Sequence, residues 1–163
     1  MSASTIFPCL WFNTQAEEAA NFYVSVFKNS RIKNVSRYPE SGAKMSGQPA
    51  GSVMTVEFEL NGQKILALNG GPHFTFSPAV SLVYRCEGQE EVDRVWDLLL
   101  KDGGKPSQCG WLTDKYGFSW QIVPTDLLKY VTDPDREKAS KAMAAMGTMS
   151  KIDIAVCQAA YDK

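Results

Sequence analysis

The chain has 163 residues, a formal net charge of −1 and 44% hydrophobic residues. This length suits one domain or two small fused modules, and it allows roughly 70% of the surface of the unfolded chain to be buried. Acidic and basic residues are interspersed, so the chain lacks the basic stripe typical of nucleic-acid binding. No apolar run approaches the roughly 20 residues of a membrane span, and residues 1–13 lack the features of a signal peptide.

The cysteines are far apart and form no Cys-x-x-Cys pair: Cys9, Cys86, Cys109 and Cys157. This spacing is typical of thiols in a reducing compartment, so we expect a cytoplasmic protein without disulfide bonds. Each thiol is interpreted first as a small hydrophobic group of the core.

The first half of the chain predicts a strand, a helix and three further strands. Apolar residues recur at helical spacing from Ala16 to Phe27, and strict alternation precedes the hairpin signal Asn61-Gly62. The predicted elements are a strand over 6–12, a helix capped by Asn13 or Thr14, a strand over 31–38, a mobile loop over 39–51 and strands over 52–60 and 63–69.

The second half repeats this order. "AEEAANFYVSVF" lies over "QEEVDRVWDLLL", and "NGQKIL" lies over "YGFSWQ", which aligns Gly62 with Gly117. An internal repeat of this kind predicts two pseudo-symmetric βαβββ modules, because one half alone would leave a sheet face open to water. The predicted elements are a strand over 79–86, a helix over 89–100, one or two strands within 105–113, a turn over 114–117 and a strand over 118–123.

The last part of the chain lies outside the repeat and predicts helices. One would begin with Asp133 as its cap and end at Gly147, and another would run through Tyr161. The fold class is therefore α+β with a C-terminal helical tail. We expect one domain, with module one over about 5–71, module two over about 78–124 and the helical tail over 125–163.

Four long stretches resemble a known family: "PCLWFNTQAEEAANFY", "VEFELNGQKILALNGGP", "FSPAVSLVYRCEGQEEVDRVWDLL" and "CGWLTDKYGFSWQIVP". On them the chain is identified as a member of the PhnB-like family, also called the 3-demethylubiquinone-9 3-methyltransferase domain family. That family is similar to glyoxalase I, extradiol dioxygenases and fosfomycin and bleomycin resistance proteins, in the vicinal-oxygen-chelate superfamily. The resemblance implies the fold of that superfamily and a homodimer.

Metal-using members of the superfamily carry four ligands, mostly His and Glu, at matched positions of the two modules. The resemblance carries these positions over to Pro8, Leu66, Ser81 and Gln121. A shift of one residue on the first strand would give Phe7 or Cys9 instead. Proline and leucine offer no side-chain ligand, and serine and glutamine are weak neutral ligands. We therefore expect a cavity without a metal and without another cofactor.

Side-chain alternation assigns candidate ligand-binding residues. They are Ser81, Arg85, Cys109, Trp111 and Gln121 on the inward face, with Asn69 and His73 near the mouth. On the first strand Pro8, Leu10 and Phe12 are expected to face the cavity. Cys9, Trp11 and Trp120 would then pack under the helices.

Each polar candidate on the inward face has a structural alternative. Arg85 could bind a carboxylate or phosphate through its planar guanidinium. Alternatively, it could pair with Glu87 or Glu90 at the solvent-exposed end of its strand. Gln121 and Ser81 could orient a polar ligand or satisfy only each other.

Each of the other candidates also has two interpretations. Trp111 could form an apolar wall or pack in the core. Cys109 is favoured as a structural thiol, because no His or Lys is evident beside it to activate it. His73 could act as a general base or be a solvated loop residue. Asn69 and the turn over 70–72 could shape the mouth or only reverse the chain.

Three classes of function follow. The leading hypothesis is a protein that binds or sequesters a small molecule. The alternative is an enzyme, either a glyoxalase- or dioxygenase-like lyase or the methyltransferase of the family's name. Methyl transfer from S-adenosylmethionine lacks a physical basis in the sequence, because Gly70-Gly71-Pro72 follows an antiparallel hairpin strand and precedes no helix. A third hypothesis is a partner-binding protein that docks through its helical tail.

Overall fold

The computed structural model describes residues 6–163, which form two compact units that divide between Thr75 and Phe76. Residues 1–5, which include the predicted start of module one and part of the segment assessed as a signal peptide, lie outside the described residues. Within 6–163 we find no helix with the length and apolar character that a membrane crossing requires. That the two units make one domain stays a prediction.

The first unit contains one four-stranded sheet and two helices. Its elements are β1 Cys9–Phe12, α1 Ala16–Val26, β2 Arg31–Arg37, α2 Glu40–Ser46, β3 Val53–Leu60 and β4 Gln63–Asn69. The strand order is β1-β4-β3-β2, in which β1 is parallel to β4 and the other neighbours are antiparallel.

The second unit contains an equivalent sheet followed by the helical tail. Its elements are β5 Ser81–Cys86, α3 Gly88–Leu100, β6 Lys105–Pro106, β7 Trp111–Thr113, β8 Ser119–Pro124, α4 Thr125–Val131, α5 Arg136–Met146 and α6 Ile154–Tyr161. The order β5-β8-β7-β6 repeats that of the first sheet, with β5 parallel to β8. The predicted α+β fold of two βαβββ modules with a helical tail is confirmed.

Helix α2 lies within the segment that was predicted to be a mobile loop, and for its seven residues that prediction is wrong. Pro39 precedes the helix and Gly47 ends it with a left-handed φ of 73°. Proline before a helix and glycine after it are the usual signals for its ends. The helix buries none of its side chains, so no apolar periodicity marks it in the sequence.

The core of the first unit lies between α1 and one face of its sheet. Phe58 on β3 stacks on Tyr23 of α1, with ring centroids 6.2 Å apart. Leu10 and Phe12 lie on this same face, as their register with β4 shows, and they are only 4% and 3% exposed.

The prediction that Leu10 and Phe12 face the cavity is therefore wrong. Cys9 and Trp11 occupy the opposite face, which α1 does not cover. The segment is apolar at both parities, so alternation along β1 alone does not choose between the faces. The pairing of Leu10 with Ala67 decides which side chains pack under the helix.

In the second sheet, Trp120 and Gln121 lie on opposite faces, as predicted. Tyr84 on β5 donates a hydrogen bond of 2.9 Å to Glu91 of α3, which marks the helix-covered face. Trp120 and Ile122 on β8 share that face and are 2% and 0% exposed. Gln121, with the opposite parity, lies on the other face of the sheet.

Asn69 at the end of β4 joins α1 to the sheet. Its Oδ1 accepts a hydrogen bond of 2.8 Å from the backbone N–H of Ala16, 53 positions earlier in the chain. Its Nδ2 donates to the carbonyl of Val53 at 3.0 Å, and Tyr38 donates to the Asn69 carbonyl at 2.6 Å. The predicted cap at Asn13 or Thr14 is wrong: the N-cap position is Gln15, and the capping oxygen comes from Asn69.

The helical tail is bonded to the sheet module of the second unit. Gln89 of α3 donates through Nε2 to the carbonyl of Ile152 and accepts through Oε1 from the N–H of Ile154, both at 3.0 Å. Lys151 forms an ion pair of 2.9 Å with Asp93 of the same helix. These three contacts therefore hold the end of the α5–α6 connection and the start of α6 against α3.

A second set of bonds holds the tail at the start of β7. The N–H groups of Cys109 and Gly110 donate to the carbonyls of Met149 and Ser150, each at 2.8 Å. A tail-side cluster of buried residues completes the attachment: Leu127, Ile152 and Cys157. The tail is thus part of the packed second unit, and its role in docking a partner stays a prediction.

We expect Asn69→Ala to lower the free energy of unfolding by about 1–3 kcal/mol, because the substitution leaves the Ala16 N–H and the Val53 carbonyl without their partner. Urea denaturation followed by circular dichroism measures the change. Asn21→Ala is the matched control, since Asn21 is exposed and bonds only within α1. Equal unfolding midpoints for the two variants would contradict the capping role.

We expect Gln89→Ala to lower the free energy of unfolding by about 1–3 kcal/mol. The substitution leaves the Ile152 carbonyl and the Ile154 N–H without their partner where the tail meets α3. Chemical denaturation and hydrogen exchange at the Ile154 amide report the loss. Gln63→Ala serves as control, because Gln63 is exposed and bonds only to its neighbour Lys64. An unchanged exchange rate at Ile154 would show that Gln89 does not hold the tail.

Candidate functional site

The face of the second sheet opposite α3 carries most of the predicted site residues, and we call it the open face of that sheet. Backbone register places Val83, Gln121 and Trp111 in one row across β5, β8 and β7. Side chains directly opposite one another in neighbouring strands have Cβ atoms about 4.5–5.5 Å apart. Gln121 is therefore flanked by an aliphatic side chain on one strand and an indole on the other.

Ser81 and Gln121 form a polar pair on this open face. Gln121 Nε2 donates to Ser81 Oγ at 2.9 Å, and both residues are half-buried. Within residues 6–163 the Gln121 Oε1 accepts no hydrogen bond. The pair satisfies one donor internally, and it leaves one amide acceptor and the serine hydroxyl hydrogen for another molecule.

Arg85 lies on the open face of β5 with Ser81 and Val83, and it is exposed. It makes no ion pair and no hydrogen bond to any residue in the described part of the chain. Glu87, one of its expected partners, instead accepts a hydrogen bond of 3.1 Å from Thr125. Its planar fork of N–H donors is thus unoccupied by any group of residues 6–163.

Trp111 and Cys109 lie close in sequence but differ in their surroundings. Trp111 is half-buried beside Gln121, and its indole N–H has no acceptor within residues 6–163. Cys109 has a left-handed φ of 56°, and its Sγ lies 3.8 Å from the Met146 carbonyl of the tail. The structure thus brings Trp111 together with Gln121 and directs Cys109 toward the tail, a placement that suits a structural thiol.

Asn69 and His73 belong to the first unit. Both polar atoms of the Asn69 side chain are used inside the fold, and the residue is 5% exposed. His73 is exposed in the turn after β4, where a Cβ atom added to Gly71 would lie 3.7 Å from its imidazole Cδ2. Their roles in ligand binding stay predictions.

Leu66, which the resemblance matches to a metal-ligand position, lies on the face of the first sheet opposite α1, which we call the open face of that sheet. Cys9 on β1 pairs with Leu66 on β4, so the matched residue on this face is Cys9. Pro8 precedes the strand and contributes its backbone carbonyl to a 3.0 Å bond with the Leu66 N–H. Cys9 is exposed as a residue, and partial burial raises the pKa of its thiol above the ordinary value.

The residues present do not fit a divalent metal ion. Among residues 6–163 no three or more His, Cys, Asp or Glu side chains form a group that could hold one. In the second sheet the corresponding pair is the neutral Ser81 and Gln121. Zinc, iron and nickel select imidazole, carboxylate or thiolate ligands, and Ser81 and Gln121 supply none of them.

The Gly70-Gly71 turn does not fit a nucleotide cofactor either. A Cβ atom at Gly70 would lie 2.2 Å from Cζ2 of Trp11, so the space above this glycine is filled by the protein's own indole. Trp11 Nε1 donates to the Gly71 carbonyl at 2.9 Å and fixes the ring there. The next element after this turn is the strand β5, with no helix N-terminus to receive a phosphate.

Sequence reasoning missed two aromatic residues on the open face of the first sheet. Trp11 was assigned to the helix side, and Phe74 was left unassigned in a loop. Their ring centroids lie 5.0 Å apart at an interplanar angle of 79°. The paired glycines at 70 and 71 were the available signal, because glycine often marks a close approach to the backbone.

Comparison with known proteins places this fold in a family. A family model described as 3-demethylubiquinone-9 3-methyltransferase matches residues 4–123, so the tail lies beyond it. The chain is similar to a PhnB protein from Bacillus cereus, with 39% identity, a TM-score of 0.67 and coverage of 75% of this chain and 100% of that one. No curated protein matches the sequence significantly.

Two further solved structures are more distant. Protein PA1353 from Pseudomonas aeruginosa is 18% identical, with a TM-score of 0.58 and coverage of 75% of this chain and 98% of that one, which shows a shared fold alone. A glyoxylase/bleomycin resistance protein/dioxygenase domain from Frankia sp. EAN1pec is 13% identical, with a TM-score of 0.48 and coverage of 76% and 92%, and it supports no inference about this chain. On the family model and the Bacillus cereus relative, the chain belongs to the PhnB-like, 3-demethylubiquinone-9 3-methyltransferase family.

Proposed function

We propose that this protein binds a small molecule bearing a carboxylate or phosphate group on the open face of its second sheet, without a resident metal ion. The observation that carries the proposal is the exposed guanidinium of Arg85, which has no ion-pair or hydrogen-bond partner within residues 6–163. It lies on the same face as the unsatisfied acceptor of Gln121 and the indole of Trp111. A cation, a neutral acceptor and a flat apolar surface together suit an anionic organic molecule.

The charge of Arg85 supports an anionic group in particular. An arginine that pairs within its own fold has its donors occupied, whereas this one presents its planar fork to solvent. Such a fork binds carboxylate or phosphate through two parallel hydrogen bonds. Val83, which precedes it on the same face, is 53% exposed, so the surface beside the guanidinium is apolar and accessible.

Ser81, Gln121 and Trp111 support recognition of the rest of the molecule. The Ser81–Gln121 bond of 2.9 Å holds the amide in one orientation, which directs Oε1 as a preorganised acceptor. Trp111 adds apolar area next to it at little conformational cost. The hydroxyl, amide and indole of these three residues are neutral and are poor acids and bases. They therefore suit ligand binding better than proton transfer.

The name of the family suggests methyl transfer, and the geometry of this chain favours binding instead. The turn that would have to approach a nucleotide-like cofactor is filled by Trp11. No observation in the two open faces favours a lyase over a binding protein. Binding is therefore the function that the described residues support best.

We expect Arg85→Gln to weaken binding of benzoate and of inorganic phosphate by about tenfold or more, because one charge-assisted hydrogen bond contributes about 1.5–3 kcal/mol. Chemical shifts of open-face amides, followed by NMR titration at low salt, measure the affinity. Arg136→Gln is the matched control, since Arg136 is an exposed arginine on α5 of the same unit. Equal anion affinity of both variants would refute the proposed site.

We also propose that the protein is a cytoplasmic homodimer. The resemblance to dimeric relatives supports the homodimer. The free cysteines, of which Cys9 is exposed, support the cytoplasmic location. An exposed free thiol persists best in a reducing compartment. Light scattering coupled to size exclusion should give twice the 18.0 kDa of one chain, and a mass of 18.0 kDa at micromolar concentration would count against the dimer.

A further inference from the structure

Three hydroxyl groups lie side by side on the open face of the second sheet. Strand register places Ser81 of β5, Ser119 of β8 and Thr113 of β7 in one row across the sheet. Neighbouring strands lie about 4.7–4.9 Å apart, so the hydroxyl-bearing side chains recur at intervals of about 5 Å. We call these three residues the hydroxyl row, and it lies beside the row that holds Gln121 and Trp111.

Ser119 is the deepest residue of the hydroxyl row. It is only 2% exposed, and its hydroxyl has no hydrogen-bond partner in the described part of the chain. Burial of a hydroxyl without a partner costs folding free energy, which is why buried polar groups are usually bonded. Among residues 6–163 no fully enclosed side-chain nitrogen or oxygen lacks a partner, so the Ser119 hydroxyl can still be reached by another molecule. A deep, reachable and unsatisfied hydroxyl is typical of the floor of a ligand site.

The groups around Ser119 also keep hydrogen-bonding capacity. Thr113 is half-buried, and its hydroxyl has no partner within residues 6–163. Ser81 accepts from Gln121 at 2.9 Å and keeps its own hydroxyl hydrogen. The Oε1 of Gln121 and the indole N–H of Trp111 add one acceptor and one donor beside the row. A molecule that satisfies this face needs several groups that can each donate and accept, which is the property of hydroxyl groups.

The charged residues of this face lie at two opposite corners. Arg85 lies near the end of β5, and Lys105 lies on the outer strand β6, in register with Thr113. Lys105 is exposed and makes no ion pair with any residue of 6–163. It lies three strands from β5, a separation of about 14 Å. The hydroxyl row between these corners is neutral.

The distance from Arg85 to the hydroxyl row sets the length of the ligand. Ser81 and Arg85 are four residues apart on β5, so their Cα atoms lie about 13 Å apart. The arginine side chain covers part of this distance, and a carbon chain of the length found in sugars covers the rest. Val83 and Trp111 lie between the two ends and supply apolar surface for the C–H groups of that chain.

From this geometry we infer that the ligand is a polyhydroxylated carboxylate of the sugar-acid class, such as an aldonate or a uronate. Its hydroxyl groups bind the hydroxyl row, and its carboxylate binds Arg85. An acid without hydroxyl groups would leave Ser119 and Thr113 unbonded beneath it, and a site with unpaired polar groups discriminates against such a molecule. The inference rests on the proposed function and deepens it, because it names the chemical class of the anionic molecule.

The test uses three probes that separate the hydroxyl groups from the charge. Gluconate carries both, hexanoate carries the carboxylate on a chain of the same length without hydroxyl groups, and sorbitol carries the hydroxyl groups without charge. NMR titration at low salt follows the Trp111 indole N–H and the Gln121 side-chain amide. We expect the wild-type protein to bind gluconate about 3- to 10-fold more tightly than hexanoate, with shifts of both signals.

Ser119→Ala should weaken gluconate binding about 2- to 10-fold and leave hexanoate binding unchanged, because only gluconate bonds the hydroxyl. Since that hydroxyl has no partner within the described residues, the unfolding midpoint should not fall. A purely structural role would lower the midpoint and leave the ratio of the two affinities unchanged. Thr113→Val, which removes a second hydroxyl at constant shape, should reduce the same ratio.

Ser140→Ala is the matched control, since Ser140 is an exposed serine on α5 of the same unit. This variant should leave every affinity unchanged. Lys105→Gln checks which cation binds the carboxylate. The inference assigns that role to Arg85, so Lys105→Gln should also leave gluconate binding unchanged.

The outcomes separate the inference from the proposed function. If Arg85→Gln weakens gluconate and hexanoate equally while Ser119→Ala changes neither, the anionic site stands and the sugar-acid inference is overturned. If sorbitol binds in a Ser119-dependent way while Arg85→Gln changes no affinity, the row binds polyols and the anionic site is overturned. A loss of gluconate binding in Lys105→Gln and not in Arg85→Gln would likewise overturn the site at Arg85. Absence of saturable binding of all three probes up to millimolar concentration would overturn both.

Discussion

Each sheet of this protein packs one face against a helix, and this packing decides which candidate residues lie on the opposite face. In the first unit the Asn69 side chain ties the start of α1 to the end of β4. In the second, the bond from Tyr84 to Glu91 marks the face covered by α3. Because side chains alternate along a strand, the buried set on one face fixes the set that is left on the other.

The two open faces differ in chemical character. The face of the second sheet carries a free cation and a polar pair, whereas the first carries apolar and aromatic side chains around Trp11. Among residues 6–163, neither face presents a group of three His, Cys, Asp or Glu side chains that could hold a metal ion. The proposed ligand would be recognised on the second sheet by charge and by hydrogen bonding.

The helical tail contributes to the stability of the second unit and to the position of its site. Gln89 and Lys151 bind the tail to α3, and the carbonyls of Met149 and Ser150 bind it to the start of β7. Trp111 directly follows that start, so the tail supports the strand that carries one wall of the site. The family model ends at residue 123, and this support comes from outside the segment that it describes.

The sequence by itself determined the repeated βαβββ order and the placement of Trp120 and Gln121 on opposite faces of the second sheet, because these follow from local periodicity. It did not determine the face of β1, whose apolar residues occur at both parities, nor the cap of α1, which comes from Asn69 across the sheet. Only the tertiary structure decided that Arg85 stays unpaired within residues 6–163 and that Trp11 meets Phe74. Those facts depend on which strands become neighbours, and contacts between residues far apart in sequence leave no periodic signal in the chain.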